Sequence, residues 1–401
     1  MTKLLNLSYG AIQGTYWMSF GAIMSFASVF LLGKNYTNSE IGVILATASI
    51  LAVILQPLLG DVADRWKKTS LLGITGIIAA GLFMATASLH IFTSKTLILS
   101  VIFILLGAWH TSLQPLINSM AFFLSRSGHR INFGITRSGG SVAYAVLCAI
   151  LGALVTAYGI NVIPATGIVT LVLFLISLWI TSKLYKKAIM TKSIEFELEK
   201  TRSKDGAISL KAFVARNKIF LIFTIGVVLV FFQNSVFNTF LMQIIMDVGG
   251  NSSQMGRLFS FMALLELPGL FFFSRLREKF SCQSMLKIAS VAFVCKVFLS
   301  FLATSVTLIY VAFLFQLISF PIFLSASVHL VDEVMEKGEA VKGQSFITGM
   351  ITLSNVFASL LGGIILDISG ASLLLLISTV LAVIGTCIVL LTVGRIKPKH
   401  A

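Results

Sequence analysis

The sequence predicts an all-α integral membrane protein, with twelve transmembrane helices in two pseudo-symmetric six-helix bundles. Three observations carry this. Hydrophobic residues make up 57% of the 401 positions and charged ones only 11%, about half the charged share of an average soluble domain. About a dozen apolar runs reach 20 residues or more, enough to cross a hydrocarbon core of roughly 30 Å, where only helices satisfy their own backbone. The basic residues gather in alternate loops.

The first six spans are expected at 7–33, 40–61, 70–92, 96–124, 133–158 and 162–184. Span 1 follows Lys3 with no convincing cleavage site, so it reads as an uncleaved helix and not a signal peptide. Residues 185–217 then break the pattern with Lys186, Lys187, Glu195, Glu197, Glu199, Lys200, Arg202 and Lys204. That stretch is too polar for a bilayer and reads as a cytoplasmic linker. Spans 7 to 12 follow at 218–246, 253–274, 284–304, 306–331, 343–367 and 371–394. The expected division is thus an N-terminal bundle over 1–184, the linker over 185–217, and a C-terminal bundle with a short basic tail over 218–401.

The formal charge of +15 is an orientation signal. Lys3, the group Arg65, Lys67 and Lys68, Arg126 and Arg130, the linker, the group Arg275, Arg277 and Lys279, and the tail all fall on one side. That side is the cytoplasm by the positive-inside rule, with both termini on it. The opposite loops keep only Lys34, Lys95 and Arg257. The lysines and arginines form no amphipathic or aromatic-interleaved segment, so no nucleic-acid partner is implied. Four scattered cysteines, Cys148, Cys282, Cys295 and Cys387, lack metal-ligand spacing and read as packing residues.

Pro57, Pro115, Pro268 and Pro321 fall inside spans 2, 4, 8 and 10, equivalent pairs in a six-plus-six repeat. Each frees the carbonyl four residues back and bends its helix. Shifting the first half by roughly 213 residues aligns Asp64 with Arg277, so a degenerate basic hairpin sits in the matching loop.

The first hairpin, GDVADRWKK at 60–68, resembles the loop signature of the major facilitator superfamily, roughly G-x-x-x-D-R/K-x-G-R/K-R/K, with Trp66 replacing or displacing the second glycine. Within it, two segments resemble the lactose permease, or oligosaccharide:proton symporter, branch. One is Gln56-Pro57-Leu58-Leu59-Gly60, and the other runs from Phe133-Gly134-Ile135-Thr136-Arg137 to Cys148. The resemblance implies gating by Gly60, Asp61, Asp64 and Arg65, and a sugar-binding role for Arg137 with Tyr144 as its aromatic plate. It fails elsewhere: the branch's glutamate in span 4 falls on Asn118 or Ser119, and its span 10 histidine and glutamate on Gln316 and Ser319. Lactose specificity is therefore not implied.

The residues themselves place Glu266 and Lys296 near mid-membrane in spans 8 and 9. A charge there costs a few kcal/mol and points to an interior or a cavity. Glu266 reads as a proton-coupling switch, protonated when Lys296 is distant and ionised when they pair; the competing reading is a static pair joining two helices. Arg137, Ser141, Tyr144 and Cys148 share one helical face, and an arginine fork beside an aromatic suits hydroxyl-bearing or anionic solutes. His110, Gln114 and Asn118 in span 4, and Gln233 or Asn234 with Asn238 in span 7, add amide stripes. Asn355 in span 11 lies among Ser345, Thr348, Thr352 and Ser359, a stripe that helix packing explains equally well. Gln13, Tyr16 and Trp17 in span 1 either line the same cavity or pack.

No phosphate-cradling motif or ATP-binding domain accompanies the spans, so direct nucleotide-driven transport is unsupported and coupling uses a gradient or none; no enzyme activity, cofactor or metal is expected. The expected function is secondary active import of a polar small solute (a sugar, glycoside or nucleoside-like molecule) by proton symport with alternating access. The setting is the plasma (inner) membrane, with the lipid bilayer as surroundings and a monomer as the working unit. Two other readings stand beside it: a proton-antiport exporter of amphiphilic drugs or metabolites, and a non-transporting sensor or scaffold. Span 5 reads Gly139-Gly140-Ser141-Val142 and lacks the Gly-Pro motif of antiporters. The scaffold reading leaves the mid-membrane charges without a purpose.

Overall fold

The computed structural model describes residues 1–65, 71–190, 213, 216–335 and 339–396, with backbone alone at 61–65, 190, 340 and 341. Most of the expected linker (191–212, 214 and 215), the hairpin residues Trp66, Lys67 and Lys68, and the tail 397–401 lie outside the described residues. Among the described residues the chain is helical throughout. The helices are α1 (Thr2–Phe20), α2 (Ala27–Gly33), α3 (Asn38–Arg65), α4 (Leu71–Ser88), α5 (Leu97–Ser125), α6 (Phe133–Tyr158) and α7 (Val162–Met190). After the linker come α8 (Lys218–Asp247), α9 (Ser252–Phe271), α10 (Phe273–Lys279), α11 (Cys282–Phe301), α12 (Val306–Phe313), α13 (Phe320–Val334) and α14 (Ala340–Thr392).

Ten of these segments are long and apolar enough to cross a membrane, eleven when α9 and α10, bent by 51°, count as one span. The last, α14, holds 53 residues, which at 1.5 Å per residue is roughly 80 Å, more than twice the hydrocarbon thickness. It is broken at Gly370, where φ is +76°. Spans 11 and 12 are therefore two crossings, and the fold has the twelve helices that the sequence predicts. Span 1 is α1 and α2 joined through a π-helical turn at Gly21–Ser25, and span 10 is α12 and α13 joined by a 3₁₀ turn at Leu314–Ile318. Helix α7 runs to Met190, past the expected linker start, because Lys186 and Lys187 are good helix formers that extend the helix into water.

The halves repeat one set of local solutions. Thr37 and Glu40 form a capping box at the start of span 2: Glu40 N donates to Thr37 Oγ1 (3.2 Å) and Thr37 N to Glu40 Oε2 (2.9 Å). Asn251 and Gln254 do the same at span 8, at 3.2 and 2.9 Å, which satisfies orphan N–H groups at the first turn of each helix. Thr96 caps span 4 and Ser305 caps span 10. Left-handed residues close the turns after spans 1 and 7, Asn35 (φ 67°) and Gly249 (φ 77°), and after spans 5 and 11, Gly159 (φ 82°) and Gly370 (φ 76°).

The chain divides into two compact units, one of Met1–Glu197 with Asn251–Leu264, the other of Leu198–Gly250 with Leu265–Ala401. In the second, Phe223, Val227, Val230, Phe231, Phe293 and Phe323 form part of a buried apolar core. Ile219, Ile222 and Ile225 point outward from the other face of α8, as expected of a helix with lipid on one side. Within this unit α8 and α14 pack backbone to backbone: a Cβ on Gly385 would stand 2.8 Å from Gly226 O and Val230 N.

Gly385→Ala therefore should lose about 1–3 kcal/mol of stability, the usual cost of overpacking. Gly349→Ala, with nothing within 4 Å of its Cβ position, should be neutral or stabilising. Thermal unfolding of the two variants in detergent, monitored by fluorescence, checks this; equal midpoints would mean that the helix pair yields.

Candidate functional site

Among the described residues, each unit holds a polar cluster built from residue types that hydrocarbon does not solvate. In the second unit the centre is Lys296 on α11, fully buried. Its Nζ donates to Gln316 Oε1 at 2.9 Å and to Asn234 Oδ1 at 3.3 Å. The rings of Phe237, Phe293 and Phe313 surround it, with centroids 5.3, 5.1 and 5.4 Å from Nζ. Cation–π contacts are worth on the order of 2 kcal/mol where water is excluded, so three faces and two carbonyl oxygens together stand in for the ammonium's hydration shell. The other end of the Gln316 amide donates from Nε2 to Glu266 Oε1 at 2.9 Å. The charges fix the amide's orientation, with its oxygen toward the cation and its nitrogen toward the carboxylate.

The backbone explains why Gln316 reaches both groups. It lies on the 3₁₀ turn between α12 and α13, and Ser319 at the following joint is non-helical (φ −95°, ψ −83°). Pro321 begins α13 without an N–H to give, and its ring sits where a Cβ on Gly269 would be, 2.6 Å away. Gly269 follows Pro268, so the two proline-bearing spans of this unit meet through a glycine one turn from Glu266.

Of the remaining residues expected in this unit, Gln233 is buried and donates from Nε2 to Val230 O at 3.3 Å, its Oε1 unpartnered among the described residues. Asn238 is exposed and Asn355 part-exposed. Neither Asn238 nor Asn355 is drawn into the Lys296 cluster by the contacts above.

In the first unit Arg137 lies with its guanidinium carbon 4.1 Å from the centroid of Trp17, and its Nη1 donates to Ser141 Oγ at 3.0 Å. Tyr144 meets the same indole edge-on at 6.5 Å and 84°, and its hydroxyl lies 2.8 Å from Ser25 Oγ, on the π-helical turn. One turn down α1, Gln13 Nε2 donates to Tyr9 Oη at 2.7 Å and to Asn118 Oδ1 at 3.4 Å. His110 is fully buried; its Nε2 lies 3.2 Å from Ser19 Oγ, and its backbone oxygen accepts from Tyr16 Oη at 2.9 Å. Gln114 is half-buried.

Arg137, Tyr144, Asn118 and His110 are thus tied to span 1 in turn, by Trp17, Ser25, Gln13 and Ser19. Sequence reasoning named Gln13, Tyr16 and Trp17 without choosing between lining and packing, and did not find Ser25 or Ser19. The i, i+4 spacing of Gln13 and Trp17 on one face was the available signal. Gly60 ends the apolar part of α3, and the backbone of Asp61, Asp64 and Arg65 continues that helix, while their side chains lie outside the described residues.

Twelve apolar helices in two repeats, each half with a polar cluster inside it, have the architecture of a polytopic membrane transporter. The chain belongs to the MFS_1-like family, whose model matches residues 9–377, and so to the major facilitator superfamily. It is 24% identical to the uncharacterized transporter YwbF of Bacillus subtilis (strain 168), over 98% of this chain and 95% of that protein. Among solved structures it is similar to a variant of the nucleoside transporter NupG, at 16% identity and a TM-score of 0.78, covering 98% of this chain and all of that one. A bacterial homologue of the human lysosomal transporter Spinster, in an inward-facing, unoccupied conformation, matches at 14% identity and 0.70, over 98% and 97% of the two chains. At these identities the structural matches speak for the fold.

Replacing the amide with Gln316→Leu removes one hydrogen-bond partner from the buried Lys296 and one from the part-buried Glu266. The expected cost is about 1–3 kcal/mol, read as a lower unfolding midpoint in detergent. An unchanged melting curve would mean that the amide does not hold the two charges.

Proposed function

We propose that the protein is a secondary active importer of a polar small solute, of sugar, glycoside or nucleoside-like character, coupled to protons by symport with alternating access. The run Glu266–Gln316–Lys296–Asn234 carries the reading. A carboxylate and an ammonium joined through one amide form a unit whose hydrogen bonding changes with a single proton. Ionised, Glu266 accepts from Gln316, whose oxygen is held by Lys296. Protonated, Glu266 becomes a donor, and the Gln316 N–H is released to a solute hydroxyl or carbonyl. Solute and proton then favour one arrangement of the same side chains, which is the linkage that symport requires.

The solute class rests on the first unit's chemistry. Arg137 offers a planar set of donors, Tyr144 offers an aromatic face, and Asn118, Gln114 and His110 are polar groups that suit hydroxyls better than a strongly charged solute. In the second unit Gln233, Asn234, Asn238, Gln316 and Asn355 extend the candidate set. NupG, by its name, transports nucleosides, which falls within the proposed class. Gly60, Asp61, Asp64 and Arg65 are assigned to gating on the resemblance of their motif. The basic loops favour an inner-membrane orientation with both termini and the linker 185–217 in the cytoplasm, joining bundles 1–184 and 218–401, and the monomer is the proposed working unit.

The test is uptake into proteoliposomes of a panel of sugars, glycosides and nucleosides under an imposed pH gradient. Glu266→Gln should abolish accumulation driven by the gradient while solute exchange across the membrane persists; gradient-driven accumulation at the wild-type level would remove Glu266 from the coupling step. Arg137→Ala should weaken apparent affinity roughly 10- to 100-fold, as expected for losing charge-assisted hydrogen bonds of about 1.5–3 kcal/mol.

A further inference from the structure

We propose that Trp17 determines selectivity by fixing how Arg137 meets the solute, holding the guanidinium in the one plane from which its paired N–H groups face a vicinal diol. The inference rests on the reading that Arg137 contacts the solute, and it adds the residue that sets the geometry of that contact.

The indole itself is held from several sides. Tyr16 and Phe20 of its own helix pack against it at centroid distances of 5.3 and 5.4 Å. From α6, a Cβ on Gly140 would stand 2.8 Å from Trp17 Cδ1 and 3.2 Å from Gln13 O, so the ring enters a notch that only glycine leaves open. Gly140 lies one turn beyond Arg137 and one turn before Tyr144, and those two residues contact the indole as well. The cation and the notch that seats its aromatic partner are therefore on one helical face, at a spacing of three to four residues.

A guanidinium stacked on an aromatic ring has one face covered and one rotation removed. Here the bond from Nη1 to Ser141 fixes the remaining turn about the stack. What the group then presents is its edge, a fork of parallel N–H donors that fits two adjacent oxygens. Lysine in this place would offer a rotating point charge, and loss of the indole would uncover one face of the guanidinium. The Trp17 indole N–H has no hydrogen-bond partner among the described residues. The ring is thus kept by its face and shape, and the phenyl ring of Phe supplies both.

The experiment uses the full-length protein in proteoliposomes, with uridine, 2′-deoxyuridine, D-galactose and 2-deoxy-D-galactose as probes, and compares wild type with Trp17→Phe, Trp17→Leu and Arg137→Ala. For the diol that wild type transports, Trp17→Leu should raise KM about tenfold with kcat within about twofold, and should narrow the preference for the diol over its deoxy analogue. Trp17→Phe should keep both within about threefold. An unchanged KM and preference in Trp17→Leu, with Arg137→Ala impaired, overturns this inference alone. An unimpaired Arg137→Ala, or no transport of any probe by wild type, overturns the solute reading and this inference with it. Equal loss in Trp17→Phe and Trp17→Leu assigns the indole to packing and overturns it too. A solute-free arm keeps Trp17 as the single tryptophan, with Trp66, Trp109 and Trp179 changed to Phe. Arg137→Gln should then shift its emission maximum, and an unshifted spectrum removes the stack.

Discussion

Hydrocarbon offers no hydrogen bonds, and the rest of this structure follows from that constraint. A polar group inside a span must be answered by the chain or by what the chain carries. Many hydroxyls are answered locally: Thr47, Thr75, Ser290, Thr352, Ser378 and Thr379 each return a hydrogen bond to the carbonyl one turn back. Prolines are answered by neighbours. Pro115 has no N–H for the carbonyl of Thr111, and Gln56, beside Pro57 on the adjacent span, donates to that oxygen at 3.4 Å. Some amides find the same local remedy, as Gln233 does with Val230 O, while Lys296 is answered by groups from other helices.

The same constraint accounts for what repeats between the halves and what does not. Caps, left-handed turn residues and intrahelical prolines solve problems of helix ends and bends, which are identical in both halves, and they recur at equivalent places. The clusters solve different problems. An arginine on the first unit's α6 is held by aromatic and hydroxyl groups of span 1, whereas a lysine on α11 is held by two amide oxygens and three phenyl rings. The repeat is thus close in the scaffold and free in the polar clusters.

The scaffold was legible because its signals are local. Apolar runs, basic loops and proline positions placed twelve spans to within a few residues, and the GDVADRWKK hairpin resembled the right superfamily. The π-turn at Gly21–Ser25 and the 3₁₀ turn at Leu314–Ile318 were not legible, since neither segment contains a proline or a run of charges to mark a break in the helix. For the clusters, helical spacing identified the faces carrying Arg137 with Tyr144 and His110 with Asn118. It said nothing about partners on other helices. Counting residues from helix ends brought Glu266 and Lys296 to similar depth and suggested direct pairing. The group joining them, Gln316, was found only as a substitution for an expected histidine, because its position depends on a break in span 10 that the sequence marks by Pro321 alone.

That break bears on how a proton and a solute could be linked at all. A carboxylate and an ammonium in direct contact in a low dielectric attract strongly, and freeing either charge would then cost a large part of their interaction. An amide between them makes each interaction a hydrogen bond to a neutral group, so either partner can change state without leaving a bare ion pair to separate. Gln316 can serve this way because it stands on a short 3₁₀ turn flanked by a non-helical serine and a proline. Its backbone is not locked into the hydrogen-bond ladder of a continuous helix. The glycine at 269 lets span 8 approach close enough for Glu266 to reach the amide. Proline, glycine and broken helix are structural features with no chemistry of their own, yet together they place a neutral amide between a buried ammonium and a part-buried carboxylate.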